Sequence, residues 1–340
     1  MKAIVSRDYG PPDEVLEPED IEVPVPGDDD VVVRVHATSA NPADWHLVRG
    51  EPYLARVQLG LRRPKNQVLG CDVAGRVHAV GRDASSFQVG DAVYGSPIMR
   101  GFGAFAEYVR VPVDLLARKP ANLSFEQAAA VPVAALTALQ ALRDHGRLQA
   151  GQRVLLIGAS GGIGTFAIQI AKAFGAEVTA VCSTRNLELV RSLGADHVID
   201  YTTDDPTRGE RRYDLVLQIV GTATPSHCRR VLGAKGTLVQ ISGDASGRWI
   251  GPFGRMVRGR LLSPFVSQRI TSFVMTPNGE DLQQLTDLVE SGRVTPVIDR
   301  TYSLTEVPFA VRYVEEGHAR GKVVVTVAPD HGAHADHGDA

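Results

Sequence analysis

The chain has 340 residues, 44% of them hydrophobic and 22% charged, with a formal net charge of −3 at pH 7. That length is more than one core organises, so two domains are expected, and the near-neutral charge argues against nucleic acid or an anionic membrane as partner. Three widely separated cysteines (Cys71, Cys182, Cys228) with no C-x-x-C pair exclude a disulfide framework or a zinc knuckle and fit reduced thiols in a cytoplasmic protein.

Residues 1–5 run straight into strand-like sequence, so no signal or transit segment is expected. The first third reads as β-rich, with strands over 31–36, 73–80, 89–94 and 106–111. Glycine and proline punctuate it at short intervals, as in a compact barrel-like domain. At Ser124 the periodicity changes. Ser124 reads as the N-cap of a helix, and an Ala/Leu-rich helix follows over 128–142, broken at Pro132. Strands are then expected at 154–157, 178–182, 197–199, 215–220 and 237–241, with a helix over 186–193 between two of them. Alternating strands and helices imply a parallel sheet covered on both faces. The longest uncharged stretch, 154–171, is interrupted by glycines, so no membrane span is expected.

The strongest local signal is the turn after the first of these strands, Gly158-Ala159-Ser160-Gly161-Gly162-Ile163-Gly164. It is a G-x-x-G-x-x-G variant of the dinucleotide fingerprint, and its strand–turn–helix–strand context raises it above a bare motif. Gly158 permits a tight bend, the central glycines let backbone approach a pyrophosphate, and the last allows close helix–strand packing. The following helix start offers free N–H groups to phosphate. An enzyme that prefers NAD places a carboxylate at the end of the second strand, about 20 residues beyond the turn. Here Cys182-Ser183-Thr184-Arg185-Asn186 carries none before Glu188. Ser183 can hydrogen-bond and Arg185 can pair with a 2′-phosphate, so NADPH is the expected cofactor.

Further on, Arg248, Arg255, Arg258, Arg260 and Arg269 lie in a stretch without acid between Asp244 and Glu280. The expectation is a solvated or dimer-side amphipathic face, with a substrate lid or an anionic-substrate pocket as the alternative. A polar-faced helix over 279–289 and a β-rich return through Val297, Tyr302 and 322–327 follow. Residues 329–340, with His331, His334 and His337, read as a disordered tail rather than a metal site.

The chain resembles the medium-chain dehydrogenase/reductase superfamily over about residues 1–328, and most of all its zinc-free quinone-oxidoreductase branch, which includes reticulon-interacting-protein-like reductases. The resemblance rests on Asn41-Pro42-Ala43-Asp44-Trp45, Gly70-Cys71-Asp72-Val73-Ala74-Gly75, Val89-Gly90-Asp91-Ala92-Val93, Leu136-Thr137-Ala138 and Gly317-His318-Ala319-Arg320-Gly321-Lys322, in that order. It implies an α/β fold in which a Rossmann domain with a parallel sheet is inserted in a GroES-like β-barrel domain. The expected boundaries are 1–123 and 277–328 for the GroES-like part and 124–276 for the Rossmann part. The active site would lie in the cleft between them, and members often dimerise through the Rossmann sheet edge. Resemblance also places Asn41 and Thr137 beside the nicotinamide, Tyr201 near the adenosine phosphate and Lys322 at the cofactor.

Zinc enzymes of this superfamily use a Cys near the Asn41 region, a His at the Gly70 motif and a third ligand near Pro132. Here Cys71 stands at the His position, Asp72 follows it, and the other two regions lack Cys, so no metal is expected. His36, His46 and His78 are not spaced as ligands. The short-chain dehydrogenases share the glycine turn, but no tyrosine here has Lys four residues on. Without zinc, the hydride acceptor must already be electron-poor, as quinones and α,β-unsaturated carbonyls are. The developing oxyanion then needs hydrogen-bond donors. Asn41, Asp44, Tyr53 and Thr137 are the candidates. Tyr53 is the expected proton donor, Asn41 acts on the substrate side, Thr137 holds the nicotinamide, and Asp44, ionised at neutral pH, only accepts and orients. An enoyl-thioester reductase and a non-catalytic NADPH-binding regulator are the alternatives.

Overall fold

A computed structural model of the chain describes residues 1–241 and 267–328. The last residues, 329–340, and four of the five arginines of the basic stretch lie outside the described residues. Arg269 lies inside them and opens an edge strand, Arg269–Phe273.

A six-stranded sheet forms the middle of the chain. Its order in space is His197–Asp200, Glu177–Cys182, Arg153–Ile157, Tyr213–Gln218, Leu232–Ile241 and Arg269–Phe273, and every neighbouring pair is parallel. The run Val154-Leu155-Leu156-Ile157 explains why the sheet needs two covers. Val154 and Leu156 pack into one core while Leu155 and Ile157 pack into another on the opposite face. Side chains alternate along a strand, and a continuous apolar run is satisfied only when both faces are buried. Each expected strand is found, with ends that shift: the one expected at 215–220 runs Tyr213–Gln218, and the one at 237–241 begins at Leu232. The edge strand Arg269–Phe273 was not anticipated.

The second sheet has seven strands and is built from the two ends of the chain. Its long central strand, Asp30–Ala40, pairs antiparallel with Val73–Val80 along one side. On the other side it divides its partners. Asp30 to Arg34 pair with the strand Tyr108–Pro112, and Ala37 to Ala40 pair with Lys322–Thr326. The last strand in turn pairs parallel with Ile298–Ser303. The expected strand over 89–94 shifts to Ala92–Gly95, because Gly90 takes φ +93° and Val89 lies exposed in the turn.

Three helices bear on the site. Ser124 caps Phe125–Ala129 through a reciprocal capping box with Gln127, as the sequence suggests. The broken helix resolves into that element and a second, Pro132–Gln140, with Pro132 at its first turn where the missing N–H costs nothing. The third was missed. Asn41-Pro42 is not merely a bend. Asn41 caps a helix, Pro42–Arg49, with Pro at its start and Asp44 closing a capping box. The pattern Asn-Pro-x-Asp carries that signal. The helix Val307–Glu315, preceded by a Ser303–Glu306 capping box, was likewise legible and missed.

Candidate active site

The site is built where the two sheets meet. At the end of Arg153–Ile157 the chain turns through Gly158, whose φ of +93° puts it in a region side chains disfavour. Gly161 then caps the helix Gly162–Ala173. A Cβ on Gly164 would lie 2.3 Å from the carbonyl oxygen of Gly158, so glycine is required there for helix and strand to touch. A Cβ on Gly161 would meet only that same oxygen, at 3.8 Å, so the space above Gly161 is open. The first-turn N–H groups of the helix have no partners within it.

The C-terminal segment docks on this turn. Gly321 N–H donates to the Ser160 carbonyl at 3.0 Å, and Gly161 and Gly321 form a parallel bridge. Gly321 takes φ +96°, which turns Lys322 inward. The resulting cleft is lined by Asn41, Trp45, Gly161, Gly162, Ile219 and Lys322, among others.

Behind the cleft lies a buried polar cluster. The Asp72 carboxylate is fully buried and accepts four donors. Its Oδ1 takes the Val133 N–H at 2.8 Å, at the start of the Pro132–Gln140 helix. Its Oδ2 takes Ser39 Oγ at 2.5 Å, Asn41 Nδ2 at 2.8 Å and Lys322 Nζ at 3.3 Å. Lys322 Nζ also donates to Asn41 Oδ1 at 2.5 Å. The second amide hydrogen of Asn41 reaches the Ser39 carbonyl at 3.2 Å. Flipping the Asn41 amide would set its NH₂ against the Lys322 ammonium and its oxygen against Asp72, so the neighbours fix its orientation. Asn41 therefore has no amide hydrogen left over for a substrate.

Asp44 sits beneath this cluster, fully buried. Its Oδ2 accepts the Asn41 N–H at 2.8 Å and its Oδ1 accepts the Cys71 thiol at 3.2 Å. Burial pushes its carboxyl up to about 7, against the opposing pull of these two hydrogen bonds. This corrects the expectation of a simple carboxylate: near neutrality Asp44 holds a proton for much of the time. Burial and the neighbouring Asp44 push the Cys71 thiol well above its usual range.

A protonated thiol is a poor metal ligand. Among the described residues no three His, Cys, Asp or Glu side chains are grouped to hold an ion. The electropositive group beside Asp72 is the Lys322 ammonium, so the donor set does not fit a catalytic zinc.

The other expected residues divide. Thr137 is buried and its Oγ1 donates to the Val133 carbonyl at 2.6 Å, which leaves the hydroxyl oxygen as an acceptor. Tyr53 is not among the residues lining the cleft. It opens a single helical turn, Tyr53–Ala55, and its ring lies under the Arg56 guanidinium, 4.7 Å from ring centre to carbon. At the second strand's end, Ser160 Oγ and Ser183 Oγ both accept from Asn186 Nδ2, at 2.9 and 3.3 Å. The Oδ1 of Asn186 has no partner. Arg185 is exposed and donates to the His318 carbonyl at 3.2 Å, so it already leans on the C-terminal loop. Tyr201 is 60% exposed on the neighbouring strand's end. Asp72 and Asn186 were missed as site residues. Asp72 lies in the Gly70–Gly75 motif, but nothing local in the sequence signals that the fold buries it among four donors.

Comparison with known proteins agrees with this architecture. Residues 27–121 match the alcohol dehydrogenase GroES-like domain, and residues 193–325 match the zinc-binding dehydrogenase family. The chain is 36% identical to the mitochondrial NAD(P)H oxidoreductase RTN4IP1 of Mus musculus, over 88% of this chain and 82% of the relative. It is 35% identical to the chloroplastic NADPH-dependent alkenal/one oxidoreductase of Arabidopsis thaliana, over 97% and 80% respectively. Among solved structures, the quinone oxidoreductase of Coxiella burnetii superposes with a TM-score of 0.85 at 32% identity, over 96% of this chain and 99% of that one. The chain belongs to the medium-chain dehydrogenase/reductase superfamily, in its quinone-oxidoreductase-like branch.

Proposed function

We propose that the protein is a zinc-independent, NADPH-dependent oxidoreductase that passes hydride to a quinone or an α,β-unsaturated carbonyl. The observation that carries this reading is the junction of the glycine turn with the Asn41–Asp72–Lys322 cluster, which sets a dinucleotide cradle against a buried polar site. The donor set there suits an electron-poor acceptor and not a zinc-polarised ketone. Gly158, Ser160, Gly161, Gly162, Ile163 and Gly164 would hold the pyrophosphate. Ser183, Arg185 and Tyr201 surround the place of a 2′-phosphate, and no carboxylate lies between Cys182 and Asn186. Thr137 offers an acceptor to a carboxamide N–H. Asn41 positions, and Tyr53 contributes from the turn Tyr53–Ala55, outside the residues that line the cleft. The reduced nicotinamide would supply the hydride; the chain binds, orients and excludes water. We assign the protein to the cytoplasm, and a homodimer would join along the edge strand Arg269–Phe273.

Stopped-flow oxidation of NADPH and of NADH against a benzoquinone, an enone and an enoyl thioester tests the reading. Turnover of the first two acceptors with a preference for NADPH is expected. Replacing Arg185 with Ala should weaken NADPH by about 1–3 kcal/mol while leaving NADH nearly unchanged. Turnover of the thioester alone would make the protein an enoyl reductase. Tight NADPH binding without turnover of any acceptor would make it a regulator.

A further inference from the structure

We propose that Lys322 is the electrophilic donor of the reaction: its ammonium takes the place that a metal cation would hold and hydrogen-bonds the oxyanion that develops on the acceptor. The proposal rests on the nicotinamide reading above and extends it from cofactor contact to chemistry.

Three observations carry it. First, Lys322 is 3% exposed and is among the residues that line the cleft, so its ammonium is buried next to the reaction space. The stem is held by the glycine turn, since a Cβ on Gly162 would lie 3.0 Å from Lys322 Cδ. Second, an ammonium has three N–H donors. One is committed to Asn41 Oδ1 and one is directed at Asp72 Oδ2, which leaves one. Third, the rival donors are spent. Both amide hydrogens of Asn41 go to Asp72 and the Ser39 carbonyl, and the Thr137 hydroxyl donates to Val133. A donor held by two fixed partners in a buried site costs little reorganisation when charge appears beside it. Asn41 and Asp72 are positioning residues in this arrangement.

The step balances as follows for an enone. The bound reduced nicotinamide would supply the hydride for one C–H bond at the β-carbon, leaving the oxidised cofactor. The C=C pair shifts toward the carbonyl, whose oxygen becomes an enolate oxyanion bonded by the remaining Lys322 N–H. Water then gives one proton to form the α-C–H bond, leaving hydroxide, and the carbonyl is restored. For a quinone, the hydroquinone anion replaces the enolate and takes its proton on oxygen.

The test compares the full chain with Lys322→Met and with the double variant Asp72→Asn/Lys322→Met, which removes both buried charges and guards against a folding defect. NADPH affinity is measured by fluorescence. Rates are measured at saturating NADPH with 2-cyclohexen-1-one and with p-benzoquinone. Absorbance titration of 4-nitrophenol, an oxyanion mimic, is run on the chain without cofactor. The expected result, read at saturating NADPH whatever its affinity, is an enone kcat lower by about 10²–10³-fold. The quinone loss should be smaller, and the wild-type preference for bound 4-nitrophenolate over 4-nitrophenol should vanish in the variants. Unchanged kcat with normal NADPH affinity overturns the proposal alone, as does weakened NADPH binding with unchanged saturated kcat, which would make Lys322 a cofactor ligand only. Failure of the wild-type chain to bind NADPH overturns the nicotinamide reading and this one with it.

Discussion

Replacing Asp72 with Asn keeps the shape of the side chain and should still cost nearly as much as deleting it. The carboxylate accepts on both oxygens, from Val133 N–H on Oδ1 and from Ser39, Asn41 and Lys322 on Oδ2. An amide has one accepting end. If its oxygen faces Lys322, its NH₂ opposes the Val133 N–H. If its oxygen faces Val133, its NH₂ opposes an ammonium and another amide. Either way a buried donor is stranded, at about 1–3 kcal/mol. The Lys322 cation also loses its counter-charge, which brings the total to about 3–5 kcal/mol. Urea unfolding followed by circular dichroism and by tryptophan fluorescence would measure it, with coincident transitions as the condition for a single free energy. The double variant Asp72→Asn/Lys322→Met should cost less than the two singles added, with a coupling of about 0.5–3 kcal/mol. A cost below about 1 kcal/mol for Asp72→Asn, or strict additivity, would refute the account of the cluster.

Two further outcomes are expected. Gly161→Ala should leave stability nearly unchanged, because its Cβ meets nothing closer than 3.8 Å, yet weaken NADPH sharply by filling the cradle; Gly164→Ala should unfold the turn, since its Cβ would lie 2.3 Å from the Gly158 carbonyl oxygen. Isothermal titration beside thermal melts separates the two effects. Asp44, faced by Cys71, Asp72 and Lys322, keeps its proton in the fold up to about pH 7, whereas the unfolded carboxyl loses it near 4. Between those values the native state binds the extra proton, so stability falls as pH rises, by on the order of 4 kcal/mol from this group, and changes no further above the folded value. The stability of wild type relative to Asp44→Asn, measured by urea unfolding from pH 4 to pH 8, should fall across that window; a pH-independent difference would remove Asp44 from the balance.

The periodic elements were legible because burial imposes its period on the sequence. Val154-Leu155-Leu156-Ile157 could only be a strand covered on both faces, and the glycine turn after it announced its own packing need at Gly164. Short capped helices were less legible, since Pro42–Arg49 and Val307–Glu315 begin at capping boxes that read equally well as turns. The site itself was half visible. Asn41, Thr137 and Lys322 came from family resemblance, and the structure brings Asn41 and Lys322 into contact across 281 residues. No local pattern encodes that contact. Nor could sequence reveal that Asn41 spends both hydrogens on its neighbours, or that burial shifts Asp44 toward neutrality, because both depend on which groups the fold encloses together.

The divided partnership of the Asp30–Ala40 strand has a consequence for biosynthesis. Its first half finds its partner, Tyr108–Pro112, soon after leaving the ribosome, but Ala37 to Ala40 must wait for Val323 to Thr326. At about 5–20 residues per second the delay is on the order of 15–60 s, during which the parallel sheet between them can fold as a unit. The half that waits adjoins Ser39 and Asn41, and the segment it waits for delivers Lys322. A nascent chain thus carries an unpaired strand edge for most of its synthesis, a surface open to wrong partners and to chaperones. With Lys322 in the proposed role, competence arrives with the strand Lys322–Thr326, so a chain released short of it should be inactive rather than partly active.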